Sequence, residues 1–169
     1  MINITKKIEH YIRKHFGGEI FAAYGSSLGG SFVGLLIQRR MIHIEHGIIG
    51  SSDLDQSGRF SALLQTKLLG NMFYNTLSFE RQFYSDLITA LDDNISVPNT
   101  TIHVFYALQM GEKYRRRYIQ HFAEPDIIEH DYGHEELLFF YPEKWVNEVK
   151  RCVGSEYKNI LQTKNEEEK

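Results

Sequence analysis

The sequence predicts an α/β protein: a mostly parallel sheet of about four strands with helices on both faces. Two observations predict it. Segments with apolar residues at helical spacing alternate with short apolar runs, in the order helix, strand, helix, strand, helices, strand, helix, strand, helix, and such alternation calls for crossovers around a parallel sheet. The apolar runs also close on glycine or on turn residues, as strands buried on both faces do.

The elements follow in order. Ile4, Ile8, Tyr11, Ile12 and Phe16 recur at steps of three and four, which gathers them on one face of an amphipathic helix. Gly17-Gly18 ends it, since glycine takes the left-handed conformation without steric cost. Ile20 to Tyr24 reads as a strand. The glycine-rich stretch Gly25 to Gly30 leads to a helix from Phe32 to Arg40, whose terminal arginines suit the negative end of the helix dipole. Ile44 to Ile49 is the next strand. Residues 58–92 lack proline and repeat apolar positions at helical spacing, predicting two or three helices. Thr101 to Leu108, β-branched and aromatic, is a strand; Lys113 to Phe122 a helix; Asp126 to Glu129 a strand. Pro142 opens the last helix, where its missing N–H is harmless. Residues 1–162 are expected to form one domain, and the polar, acidic residues 163–169 a fraying tail.

Composition narrows the function classes. With 169 residues, 42% hydrophobic and 24% charged, the chain fits a globular domain rather than a disordered one. Its apolar runs fall far short of the roughly 20 residues of a bilayer helix, and the charged N-terminus does not resemble a secretory signal, so no membrane association and a cytoplasmic location are expected. The single cysteine, Cys152, cannot form an internal disulfide. A net charge of −3 offers no general attraction for nucleic acid, and Arg115, Arg116 and Arg117 read as a solvated helix face.

The chemistry begins at Tyr24-Gly25-Ser26-Ser27-Leu28-Gly29-Gly30, which carries Gly-x-Ser-x-Gly between a predicted strand and a predicted helix. Close packing at a glycine turn would explain the pattern equally well. Tyr132-Gly133-His134-Glu135-Glu136 follows the last predicted strand, and a neutral imidazole there can take a proton and return it. On these two segments, serine first and histidine last, the chain resembles the α/β-hydrolase superfamily. The resemblance implies Ser27 as nucleophile on a strained turn flanked by Gly25 and Gly29, His134 as base, and the Leu28 amide as an oxyanion donor. It implies an acid after the penultimate strand, where Glu112 stands; a helix N-terminal acid favoured by the dipole is the plainer account of that residue. Asp53 and Asp55 are fallback acids, and His130, at the edge of its strand, is the weaker alternative to His134.

Other features carry less. His43-Ile44-Glu45-His46 looks like metal-ligand material, but alternation along a strand splits His43 from His46, so no metal and no cofactor are expected. Phe73, Tyr74, Phe79, Phe83 and Tyr84 occupy the place of a lid over an acyl pocket, although core packing explains them too.

The resemblance is to the C-terminal portion of the superfamily architecture. Strands expected before the nucleophile strand, and the loop that donates a second oxyanion amide, have no counterpart before Ser27. Loss of one such donor costs on the order of 100-fold to 1000-fold in turnover. The strand from Ile20 to Tyr24 would then be an apolar sheet edge that pairs with another chain, giving a homo-oligomer. Two functions are weighed: a serine hydrolase of small or medium carboxylic esters or thioesters, and a truncated, weak or inactive hydrolase remnant acting as an oligomerising or binding module.

Overall fold

A computed structural model of the chain describes residues 2–52, 54, 91–133 and 136–154. Of the lid-like segment expected at 58–92, residues 58–90, with Phe73, Tyr74, Phe79, Phe83 and Tyr84, lie outside the described residues, as does the tail at 163–169.

Helix α1, Ile2–Phe16, runs as the spacing predicts and stops where Gly17 and Gly18 take φ of 67° and 92°. The face it buries is shifted from the apolar stripe: Thr5, Glu9 and Ile12 are buried, whereas Tyr11 and Phe16 are more than half exposed. The cause is ionic. Glu9, 1% exposed, receives Arg39 Nε at 2.6 Å and Nη2 at 3.1 Å, and a carboxylate is held inside only when paired this way.

Strands β1 (Glu19–Ser26), β2 (His43–Gly50), β3 (Thr101–Ala107) and β4 (Asp126–His130) form one sheet in the order β1-β2-β3-β4, every pair parallel. The predicted fold class therefore stands. The central strands carry the most buried side chains, with Ile49 and Val104 wholly enclosed. Strand β1 lies at an edge of the described sheet, the second of the two expectations for it, rather than buried on both faces. It pairs only with β2 among the described residues, and Tyr24 is 38% exposed.

The helices divide between the two faces. On β3, Ile102, Val104 and Tyr106 share a core with Val33, Leu36 and Ile37 of α2 (Leu28–Arg39) and Tyr118 of α3 (Gly111–His121). Phe105, pointing the opposite way, packs with Ile48, Ile128 and Val153. Val153 ends α5 (Pro142–Val153), which Pro142 opens as predicted.

Boundaries moved where turn residues turned out to be helical. Helix α2 starts at Leu28 rather than Phe32, because Gly29 and Gly30 are its first turn rather than a loop. A 3-10 turn, Leu108–Met110, takes the residue predicted to end β3. A five-residue helix, α4 (Glu136–Phe140), was not expected; it is too short to show a period. Arg117 departs from the solvated arginine face as well. It is 7% exposed, with its guanidinium 5.8 Å from the Tyr114 ring centre, while Arg116 stays in solvent.

Candidate active site

The four strands run parallel, so the turns that follow them leave the sheet along one edge, where ligands of such sheets bind. Ser27 sits there, between the last residue of β1 and the first of α2. Its backbone adopts φ 51° and ψ −117°, a conformation a non-glycine residue holds only when its surroundings enforce it, at about 1–3 kcal/mol. The enforcement is visible. The Ser27 amide donates to the Gly50 carbonyl at 2.8 Å, tying the turn to the end of β2, and the Gly30 amide donates to the Ser27 carbonyl at 3.1 Å.

The steric requirement for glycine falls unevenly. A Cβ at Gly25 would lie 2.2 Å from the Gly29 oxygen and 2.7 Å from the Gly30 nitrogen, and one at Gly30 would lie 2.6 Å from Ser52 Cβ. A Cβ at Gly29 would meet nothing within 4 Å. The turn is thus closed by Gly25 and Gly30, and the second glycine of the sequence pattern is not sterically needed.

Leu28 opens α2 with its side chain 40% exposed. As a first-turn residue its amide hydrogen has no acceptor within the helix, and the helix dipole adds positive potential at the same place. Ser27 itself makes no side-chain cap bond to α2, so the hydroxyl is not committed to the helix it precedes.

Beside this turn lies a polar support with no local signal in the sequence. Ser31 and Ser52, both buried, place their hydroxyls 3.2 Å apart. The Tyr118 hydroxyl accepts from the Ser52 amide at 3.0 Å and donates to the Ser52 carbonyl at 2.9 Å. A backbone segment leaving β2 is thereby satisfied inside the core, as buried peptide groups must be. Only the separation of 66 residues between Ser52 and Tyr118 hid it.

The other expected site residues are placed as follows. Glu112 stands in the first turn of α3, its side chain 56% exposed and facing Arg116 Nε at 3.4 Å, the helix-surface arrangement of its plainer account. His134, Asp53 and Asp55 lie outside the described residues. Around position 134 the chain makes a reciprocal pair: the Gly133 amide donates to Glu136 Oε2 at 2.6 Å, and the Glu136 amide donates to the Gly133 carbonyl at 3.1 Å. The Glu136 carboxylate thus satisfies a backbone amide just ahead of α4, and the second bond is a backbone turn. His130 ends β4, and burial pushes its imidazole below the usual histidine range. It lines a cavity of about 270 Å³ with Tyr132, Leu137 and Lys144.

Tyr106 donates a short hydrogen bond to Glu129, and burial raises its phenol well above the usual range. Burial also pushes the Cys152 thiol up to about 11, with the negative charge of Asp126 adding to it, so it is no nucleophile at neutral pH. No helix among the described residues is long and apolar enough to cross a membrane.

No family model matches the chain, and no curated protein does. Solved structures do. A protein from Desulfitobacterium hafniense assigned to the α/β-hydrolase family superposes with a TM-score of 0.60 at 15% identity, over 90% of this chain and 76% of its own. A hydrolase from Pseudomonas aeruginosa gives 0.54 at 12% identity, over 89% and 70%. An esterase from Pyrococcus furiosus gives 0.51 at 12%, over 90% of this chain and 61% of its own length. With a parallel sheet in sequential order, a strained serine turn leading from strand to helix, and this likeness in space, the chain has the α/β-hydrolase fold.

Proposed function

We propose that the protein is a serine hydrolase of carboxylic esters or thioesters. The observation that carries this is the backbone of Ser27: a non-glycine residue at φ 51°, held between the end of β1 and the start of α2 by the Gly50 carbonyl and by the close approach of Gly25 to Gly29. Such strain has no structural return at a mere packing turn, where glycine would fit without it. At a nucleophile it lifts the hydroxyl clear of the helix it precedes.

In this reading Ser27 Oγ attacks the acyl carbonyl, and the proton passes to His134. The Leu28 amide donates to the oxyanion, and His134 returns the proton to the leaving alcohol or thiol before water repeats the cycle. Strands β1 and β4 stand at opposite edges of the described sheet, about 14 Å apart at normal strand spacing. In this reading the base has to act on Ser27 across the ends of β2 and β3. Glu112, or failing it Asp53 or Asp55, would orient the imidazole. The exposure of Glu112 and its pairing with Arg116 favour the aspartates.

A fluorophosphonate probe tests the reading. The wild-type protein should be labelled, Ser27→Ala should not, and His134→Ala should be labelled far more slowly. Failure of the folded wild type to label refutes it.

The reading as a weak or inactive oligomerising module finds support in the β1 edge, which has no second strand partner among the described residues. Turnover of p-nitrophenyl acetate no faster than the Ser27→Ala control, together with a dimer by light scattering, would establish that module instead.

A further inference from the structure

On the face covered by α5, three side chains of metal-ligand type converge. His103 lies on β3, Asp126 opens β4 and Cys152 stands next to the last residue of α5. Their ligand atoms all lie within 4.8 Å of one another. The β3–β4 register sets His103 directly opposite Asp126, and His103 Nδ1 is 2.9 Å from Asp126 Oδ2. We propose that His103, Asp126 and Cys152 form a binding site for one divalent transition-metal ion of the zinc class.

The geometry needs little change. Ligand atoms around a tetrahedral zinc ion, at about 2.0–2.3 Å from the metal, sit roughly 3.5 Å from each other. Closing the triangle on an ion therefore asks for side-chain shifts of an ångström or less, two of them at positions free to move. Asp126 is half exposed and Cys152 partly so, while His103 is fixed, 4% exposed. The donor set also selects the ion. One imidazole and one sulfur are poor ligands for magnesium or calcium and good ones for zinc or cobalt. The Cys152 thiol is protonated at neutral pH, so the bound ion displaces its proton to water, and the carboxylate and the resulting thiolate together neutralise the double positive charge.

The outer sphere is supplied as well. His103 Nε2 lies 3.2 Å from His46 Nδ1 in the buried interior, and an Nε2–H donated to His46 leaves the Nδ1 lone pair facing Asp126 and Cys152. Ligating histidines are oriented in this way by a hydrogen bond from the other ring nitrogen. Three protein ligands leave a fourth position open to water on the Asp126 side. The competing account is a hydrogen-bonded His103–Asp126 pair with Cys152 as a small hydrophobe beside it. The two accounts separate on whether the sulfur and the carboxylate act on one ion.

Cobalt(II) titrated into the full chain is the test, read by absorption and followed by displacement with zinc. The expected result is a thiolate-to-cobalt charge-transfer band that saturates at one equivalent and is bleached by zinc. The band should vanish in Cys152→Ser, and the apparent Kd should rise at least tenfold in Asp126→Asn, a substitution at a half-exposed site that circular dichroism should show folded. Absence of the band from folded wild type overturns the proposal, and so does an Asp126→Asn protein that binds cobalt as tightly as wild type.

Discussion

Replacing Gly25 by alanine tests whether the serine turn is held by backbone contact. The new Cβ would sit 2.2 Å from the Gly29 oxygen, 2.3 Å from its carbonyl carbon and 2.7 Å from the Gly30 nitrogen. An ordinary contact begins near 3.4 Å, so the first turn of α2 must retreat by about 1.2 Å at its closest point, and every atom in the way is backbone. Overpacking costs typically about 1–3 kcal/mol; with no flexible side chain to yield, the upper half of that range is expected. A misplacement of about 1 Å at a reacting centre costs on the order of 100-fold in rate. Gly25→Ala should therefore lose about 2–3 kcal/mol in urea unfolding and at least 100-fold in fluorophosphonate labelling rate. Gly29→Ala supplies the contrast, since its Cβ meets nothing within 4 Å and alanine is the better helix former by about 0.5–1 kcal/mol. That variant should match or exceed the wild type in stability and label normally. Equal losses in the two variants would show that the glycines do not act through the contacts described.

Ser27→Gly should raise the unfolding midpoint, worth about 1 kcal/mol of released backbone strain, while abolishing labelling; a fall in stability would mean that the strain at φ 51° is not stored there. Tyr118→Phe leaves the buried amide and carbonyl of Ser52 without their shared partner and should cost about 1–3 kcal/mol in urea unfolding. Arg39→Met strands the Glu9 carboxylate, 1% exposed, and should cost about 3 kcal/mol, the low end for a broken buried pair because Arg39 itself is partly exposed; Glu9→Gln in the Arg39→Met background should recover part of it. Stability should fall with acidification below pH 6.5, the ordinary histidine value, because burial holds both His103 and His130 below it. Between the folded and unfolded values the unfolded chain binds more protons, so stability rises with pH by up to about 1.4 kcal/mol per unit for each group. His130→Asn should make that slope shallower just below pH 6.5, and an unchanged slope would exclude His130 as a source.

The order of elements was legible because each apolar run closed on residues that end strands or open helices. Gly17-Gly18 and Pro142 acted at the positions their conformational limits dictate. Errors fell where two signals competed. Gly29-Gly30 reads as loop by composition, yet it folds as the first turn of α2 because the strained serine delivers the chain directly into helix. The stripe of Ile4, Tyr11 and Phe16 predicts the buried face of α1, but an ion pair between Glu9 and Arg39, 30 residues apart, turns the helix on its axis. Spacing within a helix cannot report a partner on another element.

The same limit explains which chemistry the sequence disclosed. The strained turn at Ser27, the proposed nucleophile, was legible because what strains it lies within a few residues, from Gly25 to Gly30, or in the adjoining strand end at Gly50. His103, Asp126 and Cys152 stand 23 and 26 residues apart in sequence on three separate elements, and only the β3–β4 register and the placement of α5 bring them together. The sequence directed attention to His43 and His46 instead, whose spacing looked metal-like and whose strand alternation argued against it. His46 does face the cluster, but through His103 Nε2, as a second-layer partner that no spacing rule describes. Local chemistry is thus written in contiguous residues, whereas a site assembled across a parallel sheet becomes readable only when register is known. For this protein that places the proposed nucleophile within reach of sequence and the proposed metal site beyond it.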